Sequence, residues 1–395
     1  MPVAIYIFTL CAFAIGFTEF ISIGLAASLA SSLEAGTAQI GLAVTLYAAG
    51  VVIGAPVLTA MAAGWPRKRL LVAAMLIFTV GNVIAALATQ LPQLLTARLL
   101  SGLAHGVFFA VASSVATRLV APERAGAALS LVFGGVTVAM ALGVPAGTWL
   151  GSILPWQWVF ALIALCGLVG ALGVACWMPA GAGDITGDNP GRRQLSVLLD
   201  RRLLAGASLP LLSYTGSFAL YTYITPLLLQ VTHADTRRIS AVLLAYGLGA
   251  AVGNMVGGRM SDRIGMDRAS FWVLGGIALV LALIGMAQDS FLLMLVLVMA
   301  LGLTTYGAIP PLQARILSLA RRHRPQALDV ASGLNIAAFN AGVVLGSMLG
   351  AVALSRWGLA SLAWVGLVAA LLALMTLGWQ RRLPSMRFTG AAHVE

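Results

Sequence analysis

IYIFTLCAFAIGFTEFISIGLAASLA, residues Ile5 to Ala30, is one bilayer thickness of apolar sequence carrying a single acidic or basic side chain, Glu19. About 20 apolar residues suffice for a helix to cross the hydrocarbon core. A carboxylate inside that core costs several kcal/mol unless it is protonated, paired or wetted by a cavity. Glu19 is therefore the first candidate for chemistry.

The apolar pattern recurs along the chain. Twelve spans are expected near 4–28, 38–62, 70–88, 93–118, 127–151, 157–178, 204–230, 239–260, 270–287, 291–317, 327–354 and 360–379. Each is too long and too uniformly apolar for a barrel strand, so helices must satisfy the backbone. The composition agrees: the 395 residues are 60% hydrophobic and 9% charged, against about 25% charged in soluble domains. The expected fold class is an all-α polytopic membrane protein with the lipid bilayer as its main partner. The first span is too long for a signal-peptide core, and MPVAIYIF lacks a basic leader, so it should stay as a helix.

The net charge of +11 does not point to nucleic acid, because the basic residues occupy short gaps between apolar runs. With the N-terminus inside, 19 Lys and Arg fall on the cytoplasmic side and three, Arg237, Arg238 and Arg356, on the other, with Arg98 inside a span. Both termini are thus expected in the cytoplasm. Cys11, Cys166 and Cys176 all lie in apolar runs, with no disulfide framework and no metal spacing.

The chain divides near its middle. The stretch 179–203 is rich in Gly, Asp and Arg and reads as a linker, with LSVLLDRR as a short interfacial helix. The expected organisation is a six-helix half over 1–178, the linker, a second half over 204–383 and a tail over 384–395. The halves repeat with a shift of 199 residues: Gly54 falls on Gly253, and Gly143, Gly147 and Gly151 fall on Gly342, Gly346 and Gly350. Glycines four apart line one helix face and let a second helix approach closely. Duplicated halves about a midpoint linker are the trace of a transporter with a central site.

Four groups of residues can carry function. Gly258-Arg-Met-Ser-Asp262-Arg263-Ile-Gly265 places a carboxylate and arginines at a helix end, where they can act as a charged latch. Its first-half counterpart runs from Thr59 to Arg69 and keeps the basic end at Arg67, but has Ala63 where Asp262 stands. Arg98-Leu-Leu-Ser-Gly102-Leu-Ala-His105 sets Arg98 and His105 nearly two turns apart on one face. Arg98 either points inward or extends its head to the interface, and His105 is either a satisfied core residue or a proton stop. Gly143-Val-Pro145-Ala-Gly147 combines close packing with a bend. Finally, Tyr214, Phe218, Tyr221, Asn254, Tyr306, Gln313, Asn335 and Asn340 place rings and amides in spans of the second half. They suit either a small neutral substrate or helix–helix hydrogen bonding. Asn335 and Asn340 lie about 140° apart on their helix and need not share a cavity.

Glu19 lies about nine residues, ~14 Å, from the outer end of its span, and His105 about twelve, ~18 Å, from the outer end of span 4. The two are expected at one level. The repeat position of Glu19 is Phe218, so a carboxylate-based site belongs to the first half. Asp329 sits at a helix start, where the helix dipole can account for it.

The G-x-M-x-D-R-x-G loop, the R-x-x-x-G run from Arg98 to Gly102 and the G-V-P-x-G run from Gly143 resemble motifs of the major facilitator superfamily. With GFTEF around Glu19, ARLLSGLAHG from Ala97 and Asn335 with Phe339 and Asn340, the closest resemblance is to twelve-span drug:proton antiporters. Among these, sugar- and arabinose-efflux and chloramphenicol-resistance exporters fit best. The resemblance covers essentially the whole chain. It implies two pseudo-symmetric six-helix halves and location in a bacterial inner membrane. It further implies export of a small neutral or weakly charged sugar or drug in exchange for protons, by a monomer without cofactor. Spans 1 and 4 line the central cavity in that fold, and Arg98 falls on the motif tied to proton coupling. A proton-coupled importer or facilitator of the same fold is the alternative. The chain has no G-x-x-x-x-G-K-[ST], H-E-x-x-H or G-x-S-x-G, so it is not expected to be an enzyme.

Overall fold

A computed structural model describes residues 1–35, 37–181, 196–230, 236–287 and 290–383. Among them there is no strand. Twelve helical spans are long and apolar enough to cross a bilayer: α1 (Val3–Ser22), α2 (Gln39–Met61), α3 (Arg67–Ala86), α4 (Leu91–Arg118), α5 (Pro122–Gly151), α6 (Gln157–Trp177), α7 (Arg201–Gln230), α8 (Arg238–Ile264), α9 (Met266–Met286), α10 (Phe291–His323), α11 (Pro325–Trp357) and α12 (Leu359–Arg382). All twelve expected spans are present. The helix that carries span α1 runs on to Gly24, short of residue 28, and a separate seven-residue helix, Ala26–Ser32, follows.

Local signals explain several helix ends. Gln90 and Gln93 cap each other's backbone N–H groups at the start of α4, with Pro92 in its first turn. Asp200 accepts from Arg202 N at 2.9 Å and Leu203 N at 3.4 Å, which starts α7. Of the expected linker helix, residues Ser196–Leu199 form one 3₁₀ turn. The rest of the linker's centre and the expected C-terminal tail lie outside the described residues.

Two spans widen to a π-helical turn beside a proline. Gly54–Leu58 contains Pro56, and Ala139–Gly143 precedes Pro145. Proline has no N–H to give, and the wider turn re-routes the carbonyls left behind.

The chain groups into two compact units, one of Met1–Leu199 with Arg324–Ala337 and one of Asp200–His323 with Ala338–Glu395. Each is built on close backbone approaches. In the first, a Cβ on Gly102 would strike the Tyr47 carbonyl of α2, and one on Gly50 would lie 2.5 Å from the Leu99 carbonyl of α4. In the second, Gly302 meets the Tyr246 carbonyl, and Gly249 and Gly253 meet Met299 and Leu303 of α10. Gly342, Gly346 and Gly350 press on α7, where a Cβ would lie 2.5, 2.6 and 2.5 Å from the carbonyls of Leu211, Thr215 and Ala219. Their first-half counterparts differ. Gly143, Gly147 and Gly151 face the side chains of Phe13, Phe17 and Leu25 instead.

Backbone cannot yield as a side chain can, so Gly346→Leu should destabilise the protein by about 1–3 kcal/mol or more. Gly275, with nothing within 4 Å of a built Cβ, is the control. Thermal unfolding in detergent should show a clear loss for Gly346→Leu and almost none for Gly275→Ala. Equal melting temperatures would remove the backbone-contact explanation.

Candidate functional site

The first unit encloses a polar chain that begins at Arg98. This residue is 1% exposed, so its head does not extend to the interface. Burial obliges its donors to find acceptors. They bond Thr18 O at 2.7 Å, Thr18 Oγ1 at 3.1 Å, Glu19 O at 3.3 Å and Ala43 O at 3.4 Å. Thr18 in turn donates to Asn82 Oδ1 at 2.7 Å, and Asn82 reaches Ser101 Oγ at 3.5 Å. The guanidinium also lies 4.2 Å above the Tyr47 ring. The Tyr47 hydroxyl is 2.8 Å from His105 Nδ1, and His105 packs on Phe109 with ring centroids 4.9 Å apart.

Arg98 holds α1 through its backbone and not through the Glu19 carboxylate. Among the described residues no hydrogen bond or ion pair within 4 Å joins that carboxylate to another side chain. The turn of Thr18 and Glu19 is level with the Arg98 head, whereas the group reaching His105, the Tyr47 hydroxyl, faces Ile15 one turn earlier on α1. Tyr47, Thr18 and Asn82 were not singled out from sequence. The repeat held a signal for Tyr47, since Tyr47 and Tyr246 stand 199 residues apart, both under a glycine of the facing helix.

The helix ends carry buried charge, differently from expectation. Arg67 is 1% exposed and pairs through Nε with Asp329 Oδ2 at 2.5 Å, while Nη1 bonds Ala63 O and Trp65 O, each at 3.0 Å. Ser114 of α4 also donates to Asp329. The acidic partner absent at Ala63 is thus supplied by α11, and Asp329 does more than meet a helix dipole. In the second unit Arg263 is exposed and Asp262 half-buried. The buried pair there is Arg315 with Asp267, 2.9 Å apart.

The rings of the second unit gather. Tyr214 stacks on Phe218 at 5.5 Å and packs against Tyr306 at 6.3 Å and Phe339 at 4.7 Å. Tyr221 stacks on Tyr246 at 3.8 Å, and Tyr246 meets Tyr306 at 6.1 Å. Tyr246 and Phe339 are additions to the expected set. Asn254 and Gln313 are fully buried in α8 and α10. Asn335 is fully buried and Asn340 half-buried in α11.

Repeat positions show what the two units share and where they part. Thr18 corresponds to Ser217, Tyr47 to Tyr246 and, with one residue more in the second half, His105 to Thr305. Ser217 and Thr305 hydrogen-bond at 2.8 Å, as a polar tie between α7 and α10. Glu19 corresponds to Phe218 and Arg98 to Val298. The face of Tyr47 is therefore covered by a guanidinium, and that of Tyr246 by the Tyr221 ring. Among the described residues no three His, Cys, Asp or Glu side chains gather as a metal site.

Comparison with known proteins places this arrangement. The family model of the Major Facilitator Superfamily matches residues 8–233 and 206–393. The chain is 38% identical to the uncharacterized MFS-type transporter YtbD of Bacillus subtilis, over 94% of the chain and 93% of the relative. It is 32% identical to a chloramphenicol resistance protein of Streptomyces lividans over 90% of each, and 31% identical to a probable sugar efflux transporter of Helicobacter acinonychis over 95% and 93%. Its fold is similar to the proton:xylose symporter XylE, with a TM-score of 0.77, 16% identity and 95% of each chain covered.

The Arg67–Asp329 pair makes a stability prediction. Removing one partner of a buried pair costs about 3–5 kcal/mol, while replacing both by apolar residues is often near neutral. Arg67→Met and Asp329→Leu should each lower the melting temperature markedly, and the double variant should recover much of the loss. Additive losses in the cycle would show that the two charges act separately.

Proposed function

The chain belongs to the Major Facilitator Superfamily, and from that we propose that it exports a small neutral or weakly charged molecule, a sugar or a drug, in exchange for protons. It is a multi-span membrane transporter and not an enzyme. The observation that carries the proposal is the division of labour between repeat positions. The first unit has Glu19, Arg98 and His105 where the second has Phe218, Val298 and Thr305. Ionisable groups suit a proton site, and the ring cluster of the second unit suits substrate. Two relatives, a chloramphenicol resistance protein and a probable sugar efflux transporter, favour export.

In the proposed cycle Glu19 takes a proton while the site faces outward. Its charge is then gone, and with it the electrostatic hold of the nearby Arg98 guanidinium. The now neutral turn of α1 closes more cheaply in a low-dielectric setting. Opening inward releases the proton to the cytoplasm, where substrate binding favours its loss. Arg98 remains charged throughout and keeps the turn placed through the Thr18 and Glu19 carbonyls. Arg67, Asp329 and Ser114 serve as a latch made in one state and broken in the other, and Asp267 with Arg315 stiffens the second unit. Asp262 and Arg263 contribute to the same end of the molecule. Gly143, Pro145 and Gly147 allow α5 to bend against α1. The protein works as a monomer in a bacterial inner membrane with both termini cytoplasmic.

A thermal-shift screen against sugars, phenicols and purines should identify a substrate for vesicle assays. Glu19→Gln should then abolish transport driven by a pH gradient while expression is unchanged. Full retention of that transport would sink the proton role of Glu19. Tyr221→Ala should leave the proton drive intact and weaken substrate binding about tenfold, through loss of a stacking surface. An unchanged KM in Tyr221→Ala would take the substrate away from the ring cluster. Depletion of substrate from cells carrying the protein, and not accumulation, distinguishes export from import.

A further inference from the structure

We propose that Tyr47 is a positioning residue that relays the proton load of His105 to the turn of α1 bearing Glu19. The inference rests on the reading of Glu19 and His105 as parts of the proton site.

A phenol has one proton and two lone pairs. The Tyr47 hydroxyl sits between two acceptors, His105 Nδ1 at 2.8 Å and the Ile15 carbonyl at 3.5 Å. The shorter contact is to His105, whose ring nitrogen donates or accepts according to its tautomer; the relay requires the neutral imidazole to accept at Nδ1 and to carry its own proton at Nε2. The Ile15 carbonyl stands at the edge of hydrogen-bonding range. When His105 gains a proton, Nδ1 becomes a donor and Tyr47 must accept from it. The phenolic proton then turns away, and the acceptor in reach is the Ile15 carbonyl. In a helix that carbonyl also receives the N–H of residue 19. A second proton competing for it loosens or bends the turn that carries Glu19. No proton needs to pass along Tyr47; reversal of one hydrogen bond carries the signal.

The rest of the site holds the relay in place. Arg98 lies 4.2 Å over the Tyr47 ring and bonds Thr18 and Glu19, so the same turn of α1 is gripped at its other end. The Tyr47 carbonyl is pressed by Gly102, which sets the height of the ring relative to His105. The charged and titratable groups facing His105 are Arg98 from its own helix and Tyr47 from α2, with Glu19 of α1 beyond Arg98. From α5 the Phe133 ring stacks on Phe109 and brings no charge. The repeat supplies a contrast: Tyr246 is placed by Gly302 in the same way, yet Thr305 stands where His105 does, so the second unit keeps the scaffold without the titrating end.

The test is NMR of the full-length protein in detergent, with labelled histidine nitrogens and isoleucine carbonyls, across a pH titration. His105 is assigned with His105→Gln. In the native protein neutral His105 should be the Nε2–H tautomer, and the Ile15 carbonyl resonance should move together with His105 protonation. In Tyr47→Phe, which keeps the ring beneath Arg98, His105 should still titrate but the Ile15 resonance should cease to follow it. An Nδ1–H tautomer in the native protein overturns the relay without any variant, as does a His105 that never protonates over the stable pH range. Undiminished co-titration of Ile15 in Tyr47→Phe overturns it too. Failure of the underlying reading looks different: Glu19→Gln vesicles would transport fully while the Ile15 signature remained.

Discussion

A guanidinium taken out of water must bring its acceptors with it. Arg98 is buried on α4, and its bonds are to carbonyls of α1 and α2 and to the Thr18 hydroxyl. Main-chain carbonyls of a helix interior are already engaged, so they are available only as second-lone-pair acceptors from a donor that comes very close. That closeness is supplied by small residues. Gly102 and Gly106 let α4 press on Tyr47 and Ala55 of α2, and Gly50 and Gly54 return the contact. Replacing any of them by a larger residue would separate the helices that Arg98 and Tyr47 connect. The polar site is thus a consequence of backbone packing and not an ornament upon it.

The same packing is present in the second unit, where it serves different chemistry. Gly249, Gly253 and Gly302 join α8 to α10 as their counterparts join α2 to α4. With Val298 in place of Arg98, no cation must be solvated, and the Tyr246 ring is free to stack on Tyr221. One scaffold therefore holds either a charge over a ring or a ring over a ring. The contrast is spread over several repeat positions: Glu19, Arg98, His105 and Asn82 of the polar chain match Phe218, Val298, Thr305 and Leu281, and the rings of Tyr214 and Tyr221 match Ile15 and Ser22.

Much of the fold could be read from the chain because bilayer thickness and glycine spacing are local properties. The twelve spans required only length and polarity, and the glycine ladders required only four-residue spacing. What those glycines touch was not local: Gly342, Gly346 and Gly350 meet backbone, whereas Gly143, Gly147 and Gly151 meet side chains, because bulky Phe13 and Phe17 stand opposite. In the site, Glu19, Arg98 and His105 stood out because ionisable groups in apolar runs are rare. Tyr47 did not, since a tyrosine in a span is unremarkable until its hydroxyl is seen beside His105. Asp329 does not stand out in the sequence, because a carboxylate at a helix start has a sufficient local cause and its partner Arg67 lies 262 positions away in the chain.

By itself the sequence determined that this chain has twelve helices long and apolar enough to cross a membrane, that its halves repeat and that Glu19, Arg98 and His105 have no ionisable counterparts at the repeat positions. Those are questions of transfer free energy and periodicity, settled residue by residue. Only the tertiary structure decided which groups share a hydrogen bond: that Arg98 grips the backbone around Glu19 and not its carboxylate, that Tyr47 links Arg98 to His105, and that Arg67 meets Asp329. Hydrogen bonds act over about 3 Å; whether two groups come that close depends on how deeply helices interlock, and interlock depends on both surfaces at once.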